Sequence, residues 1–267
     1  VYVNQMGKAL ALFQIGQKPL EEGMNILGAH VDSPRIDIKQ NPLYEDTDLA
    51  YLDTHYYGGI KKYQWVSIPL AIHGTVAKKD GTTVDIVVGE KEDDPVLVIS
   101  DLLIHLAGEQ MDKKASVVIE GEGLDVLVGS KPLSTEDKEE KELVKATILS
   151  FLKDNYGIEE EDFLSAELEI VPAGKARDCG FDRSMIMGYG HDDRICAFTS
   201  LFAMLEVENP KRTSCCLLVD KEEIGSVGAT GMESKFFENA VAELVALTVG
   251  ESSLKVRRSL QNSYMLS

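Results

Sequence analysis

The chain has 267 residues, 44% of them hydrophobic, which is enough to bury a core as one large domain or two smaller ones. Its 45 acidic and 27 basic residues give a formal net charge of −18, and such a field repels nucleic acid and anionic membrane surfaces. No apolar run approaches the roughly 18 residues that a membrane span needs. We therefore expect neither a nucleic-acid partner nor a membrane partner.

The first part of the chain reads as short strands separated by turn residues. Its apolar segments are residues 9–13 and 25–29, and the second of these leads directly into His30. Residues 41–57 are polar and aromatic, and their composition predicts a long connecting loop.

The middle of the chain has a different pattern. Residues 66–88 alternate in the manner of a β-hairpin with a central turn. A helix is predicted over 134–154, with Ser134 as its cap and Gly157 as its stop signal. We therefore expect 60–180 to form a mostly β unit, with a helix, that is inserted into the first domain.

An α/β pattern returns in the last part of the chain. Residues 195–205 have helical periodicity, 214–219 read as a buried strand, and 234–249 read as a long amphipathic helix. This return predicts that 1–59 and 181–267 together form one discontinuous α/β domain.

The four cysteines stand at positions 179, 196, 215 and 216, and none forms a Cys-x-x-Cys pair. This usage is typical of reduced, buried thiols and not of a disulfide framework or a zinc knuckle. We therefore predict a cytoplasmic protein. Because the sequence opens at Val1, inside what reads as a strand, we also expect it to be a piece of a longer protein.

Groups able to do chemistry cluster at strand ends and at a helix start. His30 and Asp32 follow one strand, Asp192 precedes a helix, and Glu222 and Glu223 follow the strand at 214–219. Open α/β sheets bind their ligands at the carboxyl ends of the strands. Each group also has an ordinary explanation: a hydrogen-bonded scaffold histidine, a helix cap formed by one of the adjacent aspartates, or a solvated acidic loop.

Taken together, these groups favour a pair of metal ions. Such a site needs a bridging carboxylate, histidine and carboxylate ligands, and a separate carboxylate that takes a proton from the bridging water. His30, Asp192, Glu223 and Glu222 can fill these roles.

The sequence resembles the aspartyl aminopeptidase/aminopeptidase I family of zinc metallopeptidases. The resemblance runs along essentially the whole chain. It is carried, in order, by residues 28–35, 57–60, 102–106, 184–186, 191–194 and 220–226.

The resemblance implies a role for each residue of the cluster. His30 would bind one metal ion, and Asp32 would orient His30 from behind. Asp192 would bridge two divalent ions, expected to be zinc with cobalt or manganese as alternatives, and Glu223 would bind the second. Glu222 would be the general base. The resemblance also implies a cis peptide bond after Asp192.

The resemblance further implies an α/β/α sandwich of the zinc exopeptidase type and an inserted β-rich domain that forms homo-dimers and a larger assembly. His105, in the inserted domain, would meet substrate in a neighbouring subunit, with a metal ligand and a surface histidine as alternatives. The substrate would be a peptide with a free amino terminus, with an acidic or a neutral first residue.

Two other readings stay open from the sequence. One is a different dinuclear hydrolase of the same fold, such as a carboxypeptidase or an N-deacylase, and the other is a metal-free assembly subunit. The resemblance also implies further ligands that the sequence does not contain, an aspartate shortly after Ser267 and a later histidine, together with an amino-terminal helical region.

Overall fold

The computed structural model describes residues 1–134 and 141–267. The chain divides into two compact units. The first unit is Val1–Ser33 together with Gly190–Ser267, and the second is Pro34–Tyr189. The second unit interrupts the first in sequence.

The elements are numbered in chain order. The strands of the described residues are β1 (Tyr2–Gln5), β2 (Ala9–Gln14), β3 (Asn25–His30), β4 (Arg35–Asp46), β5 (Leu49–Tyr57), β6 (Leu70–Ala77), β7 (Thr83–Val88), β8 (Val126–Gly129), β9 (Ala166–Pro172), β10 (Arg177–Cys179), β11 (Met185–Met187), β12 (Ser214–Val219) and β13 (Tyr264–Leu266). The α-helices are α1 (Gly108–Met111), α2 (Leu143–Tyr156), α3 (His191–Glu206), α4 (Phe236–Val249) and α5 (Ser253–Gln261).

The first unit is built on a sheet with the strand order β1-β2-β12-β3-β13. Strands β12 and β13 run parallel to β3 on either side of it, whereas β2 is antiparallel to β12. Cys215, Cys216 and Leu217 in β12 are all buried, which suits a central strand covered on both faces. Because β12 and β3 are parallel, their carboxyl ends lie at the same edge of the sheet.

Helices cover this sheet. On α4 the residues Phe237, Val241 and Leu244 recur at helical spacing and are buried in the same cluster as Leu217 of β12. The ring of Phe237 stacks on Phe13 of β2, with the ring centroids 6.4 Å apart. Helix α3 packs on β3 and β12. The α/β class expected from the sequence is confirmed.

The second unit is built on an antiparallel sheet with the order β7-β6-β9-β4-β5-β8. The hairpin predicted within 66–88 is present as β6 and β7. The predicted loop over 41–57 is wrong, because β4 and β5 extend through it as a paired hairpin. Polar and aromatic residues alternate here on a half-exposed sheet surface, which resembles a loop in composition alone.

The limits of the two units differ from the expected domain boundaries. Residues 34–59 lie in the second unit and not with 1–33, because β4 pairs with both β5 and β9. Residues 181–189 also belong to the second unit, since β11 pairs with β10. Strand pairing therefore accounts for these limits, and the pairing of β4 with β9 joins segments far apart in the chain.

The predicted helix over 134–154 begins later, at Leu143, and Ser134 does not cap it. Residues 135–140 of that prediction lie outside the described residues. The cap comes from a distant strand, because Oε2 of Glu45 accepts the amides of Val144 and Lys145, both at 2.9 Å. The predicted stop is confirmed, since Gly157 follows the helix with φ 63°.

All four cysteines are free thiols. Cys215 and Cys216 are buried as expected, but Cys196 is exposed and Cys179 is half-buried. Within residues 1–134 and 141–267, the helices are all too short or too polar to cross a membrane.

Candidate metal centre

The candidate site lies at the carboxyl edge of the first unit's sheet. His30 is the last residue of β3, and Val219, the last residue of β12, is its partner in the parallel register. The amide of Val31 donates to the carbonyl of Val219 at 2.8 Å, which extends the pairing by one residue. The segments that follow the two strands therefore leave the sheet side by side, and both carry candidate site residues.

His30 is held on both ring nitrogens. Its Nε2 lies 2.9 Å from Oδ1 of Asp192, and its Nδ1 lies 3.0 Å from the carbonyl oxygen of Asp32. A metal-bound histidine usually donates its second ring N–H to a carbonyl or carboxylate, so the contact of Nδ1 with the Asp32 carbonyl leaves Nε2 as the nitrogen that could bind a metal ion. Burial lowers the pKa of His30, but these hydrogen bonds and the charges of Asp32 and Glu222 outweigh it, and the net pKa is raised.

Asp192 reaches His30 through an irregular start of α3. The expected cis peptide bond between Asp192 and Asp193 is present. The hydroxyl of Ser33 donates to the carbonyl of Asp192 at 2.8 Å, and Nη1 of Arg194 donates to the carbonyl of Val31 at 2.7 Å. These contacts tie the start of α3 to the end of β3.

The two adjacent aspartates have different roles. Oδ1 of Asp193 accepts the amide of Cys196 at 3.1 Å and so caps the helix. The side chain of Asp192, which is 81% exposed, turns to His30 instead. The helix-cap explanation therefore applies to Asp193.

Glu222 and Glu223 lie in a short 3₁₀ turn that follows β12. The buried carboxylate of Asp32 accepts both of their amides, Glu222 at 3.1 Å and Glu223 at 3.2 Å. Burial, together with the nearby carboxylates of Asp32, Glu222 and Asp192, raises the pKa of Glu223, and His30 acts in the opposite direction. A neighbouring cation would stabilise the charged form of this carboxyl group.

Three side chains converge on one point. His30, Asp192 and Glu223 each offer a ligand atom, and these atoms all lie within 4.8 Å of one another. Glu222 stands beside this metal triad, with its Oε2 4.0 Å from Nε2 of His30. One imidazole nitrogen and carboxylate oxygens are a donor set that suits zinc and related divalent ions. The residues therefore fit a metal ion.

His105 lies in the second unit, in an exposed turn and not at a strand end. Its neighbours Leu102, Leu103, Ile104 and Leu106 are also exposed, by 53–68%. The turn thus presents a histidine among apolar side chains.

Ser33 and Arg194 are two supporting residues to which the sequence reasoning assigned no role. Both stand inside segments that carried the family resemblance, 28–35 and 191–194. Their position in those segments was the only indication in the sequence that they support the site. A side chain that donates to a backbone carbonyl leaves no sequence pattern by which this role could be predicted.

An α/β sheet with a histidine and two carboxylates gathered at the carboxyl edge of its parallel strands is an arrangement that can hold a divalent metal ion. The comparisons agree, because residues 1–267 match the family described as Aminopeptidase I zinc metalloprotease (M18). The chain belongs to this M18 family.

Individual relatives are similar along the whole chain. It is 65% identical over 267 residues to the probable M18 family aminopeptidase 1 of Clostridium acetobutylicum, covering 100% of this chain and 57% of that protein. The crystal structure of aminopeptidase I from Clostridium acetobutylicum matches with a TM-score of 0.91 and 62% identity, over 100% of this chain and 57% of that one. An M18 aminopeptidase structure from Thermotoga maritima matches with a TM-score of 0.93 and 47% identity, over 100% of this chain and 58% of that one. The chain therefore spans a little more than half the length of these relatives.

Proposed function

We propose that the protein carrying this chain is a metal-dependent aminopeptidase that removes amino-terminal residues from peptides. The observation that carries this proposal is the convergence of His30, Asp192 and Glu223 within 4.8 Å. Glu222, a carboxylate outside that triad, stands beside it. Membership of the M18 family supports the same activity.

We infer that the site takes two divalent metal ions, zinc in the first place, with cobalt and manganese as alternatives. His30 would hold one ion, Glu223 the other, and Asp192 both. When bound, such ions polarise the scissile carbonyl and make a water molecule acidic enough to attack near neutral pH. Asp32 supports the proposed ligand of each ion, because its carbonyl contacts the His30 ring and its carboxylate accepts the amide of Glu223.

Glu222 is the proposed general base. Its side chain is 55% exposed and so is accessible to substrate and water, whereas Asp32 is buried. In this role Glu222 takes a proton from the attacking water and passes it to the nitrogen of the leaving peptide, which breaks the first peptide bond. Asp32 is a positioning residue, since it holds the backbone of Glu222 and not the reacting atoms.

The proposed substrate is a short peptide with a free amino terminus. The exposed carboxylates of Asp192 and Glu222 and the net charge of −18 favour approach of a positively charged α-amino group. Peptides beginning with Asp or Glu and peptides with a neutral first residue are both candidates, and the assay below separates them.

We propose that the inserted β-rich unit forms homo-dimers that build a larger assembly. The exposed apolar turn around His105 supports a protein contact there, because contiguous exposed apolar side chains mark interaction surfaces. His105 would contact the substrate of a neighbouring subunit, with a role as a further metal ligand as the alternative. The four free cysteines support a cytoplasmic location.

The test is hydrolysis by the whole protein of anilides of Asp and Glu and of neutral amino acids, with matched N-acylated compounds as controls. We expect cleavage of the free-amine substrates, loss of cleavage after chelation and recovery with zinc. Cleavage of only the blocked substrates would instead identify an N-deacylase or carboxypeptidase. Metal analysis adds a second criterion: two ions per chain are expected, and clearly less than one under metal-replete conditions would indicate an assembly subunit.

A further inference from the structure

A second buried carboxylate stands immediately before Glu222 and Glu223. Asp220 is 5% exposed, and its Oδ2 accepts a hydrogen bond of 2.7 Å from the hydroxyl of Thr230, which is 4% exposed. The backbone joins the same two residues, because the amide of Asp220 donates to the carbonyl of Thr230 at 3.2 Å. One side-chain bond and one backbone bond therefore close the base of a loop, residues 221–229, that carries both glutamates.

This loop is tightly folded. Lys221 and Ser226 have left-handed backbone conformations, with φ 71° and 62°, which residues other than glycine rarely adopt. The amide of Ser226 donates to the carbonyl of Lys221 at 2.6 Å. A Cβ at Gly231 would lie 2.1 Å from the carbonyl oxygen of Ser226, so the loop leaves no room there for another side chain. Such conformations persist only where the surrounding contacts hold them.

We propose that Asp220 and Thr230 are a positioning pair that holds Glu222 and Glu223 at the metal centre. Asp32 receives the amides of the two glutamates from the β3 side. The Asp220–Thr230 bond closes the loop at its base, where β12 ends. The metal ligand and the proposed base are thus held between two buried carboxylates, and this inference rests on the proposed function for what Glu222 and Glu223 do.

The chemistry of the pair explains why its loss would affect the loop. Burying a carboxylate is unfavourable unless hydrogen bonds and a counter-charge compensate it. Asp220 has the hydroxyl of Thr230 and the ammonium group of Lys221, whose Nζ lies 3.6 Å from Oδ2. Without the hydroxyl, the carboxylate would turn toward water, and the turn of the chain that begins at Lys221 would loosen.

The experiment compares Thr230→Val, Thr230→Ser and a matched control, Thr213→Val. Valine has the shape of threonine but no hydroxyl, and serine restores the donor. Thr213 is 1% exposed and accepts the amide of Gly16 at 3.0 Å, just before the amino end of β12 and so away from the metal triad. The control therefore removes an equally buried hydroxyl from the same unit.

Two measurements are made on each variant of the whole protein that carries this chain. In the metal-free chain, amide hydrogen exchange of Glu222 and Glu223 should become at least tenfold faster in Thr230→Val, and stay at the parent rate in Thr230→Ser and Thr213→Val. With Co²⁺, Thr230→Val should bind at least tenfold more weakly and show a changed visible absorption spectrum, and Thr230→Ser should recover both. Circular dichroism checks that each variant is folded.

The outcomes separate the two proposals. Parent-like exchange at Glu222 and Glu223 in a folded Thr230→Val overturns the positioning role, whatever the metal does. Equal changes in Thr213→Val also overturn it, because the effect would then be general destabilisation. If Thr230→Val fails to fold, Thr230→Ser is the deciding variant. The amide exchange rates of its Glu222 and Glu223 must then match those of the parent. A whole parent protein that does not bind Co²⁺ contradicts the proposed function, while the exchange data still decide the role of the pair.

Discussion

The amide of Glu222 donates a hydrogen bond of 3.1 Å to Oδ1 of Asp32, although the two residues are 190 positions apart in the chain. The other carboxylate oxygen accepts the amide of Glu223. The backbone carbonyl of Asp32 meets the ring of His30. One buried residue therefore links a proposed metal ligand on β3 to a proposed ligand and a proposed base that follow β12.

Replacing Asp32 tests this link. In Asp32→Ala the part-buried amides of Glu222 and Glu223 lose their acceptor, and each amide left unpaired costs at most about 1–3 kcal/mol of the free energy of unfolding. Zinc affinity should fall about 10–100-fold, as it does when residues that support metal ligands are removed. Zinc titration and urea unfolding measure the two effects.

Asp32→Asn is the matched variant, because it keeps one acceptor oxygen and the same shape. It should fall between the parent and Asp32→Ala in both measurements. Zinc affinity in Asp32→Ala equal to that of the parent would show that Asp32 does not orient the site.

Substitutions of the two adjacent glutamates should have different effects on turnover and on metal affinity. Glu222→Gln in the whole protein should keep its metal and lose turnover by about 10²–10⁴-fold, the usual contribution of a general base. Glu223→Gln should lose metal affinity by more than about 100-fold, because a ligand contributes more than the residues that support it. Glu233→Gln, an exposed glutamate later in the chain, is the control and should change neither property. Substantial turnover in Glu222→Gln would remove that residue from its role.

Metal should stabilise the folded chain. Without a cation, the carboxylates of Asp192, Glu222 and Glu223 repel one another near His30, and an ion that binds only the folded state relieves this repulsion. At zinc concentrations of about 100 times the dissociation constant, linkage adds about 2.7 kcal/mol to the free energy of unfolding. Thermal unfolding with zinc and with a chelator measures the difference.

The control for this effect is His30→Ala, which lacks the triad's only nitrogen ligand. Its midpoint of thermal unfolding should respond much less to zinc than that of the parent. An equal response in both chains would place the stabilising ion elsewhere.

Thiol labelling tests the burial of β12. Burial raises the pKa of Cys216 to about 11 and raises that of Cys215 further. A raised pKa keeps a thiol protonated, and only the thiolate reacts, so both should resist iodoacetamide at pH 8 in the native chain. Cys179 and Cys196 should be labelled, with Cys196 slowed because its hydrogen bond to Asp193 and partial desolvation raise its pKa.

The readout is the mass of the labelled chain, with at most two labels in the native state and four in denaturant. Labelling of Cys216 should require opening of the sheet, because its side chain is 0% exposed in the native chain. Rapid native labelling of Cys215 at pH 8 would contradict its place in the core.

The fold shows where sequence patterns suffice. The strand at 214–219 was predicted at the limits that β12 has, because a run of buried apolar residues bounded by polar ones has a local signal. The helix at 143–156 was predicted too early at its start, because its cap is the side chain of Glu45 in another strand. The hairpin over 41–57 was missed because pairing between half-exposed strands depends on partners that composition does not show.

The site divides in the same way. The sequence by itself determined which residues are proposed to carry the chemistry, because strand ends, a helix start and family motifs are local patterns: His30, Asp32, Asp192, Glu222 and Glu223. Only the tertiary structure decided that Asp192 meets His30 while Asp193 caps α3. The tertiary structure also decided that Asp32 accepts the amides of the two glutamates and that the Asp220–Thr230 bond closes the base of their loop. Hydrogen bonds between residues far apart in the chain form only once the sheet aligns β3 with β12, and no local pattern encodes them.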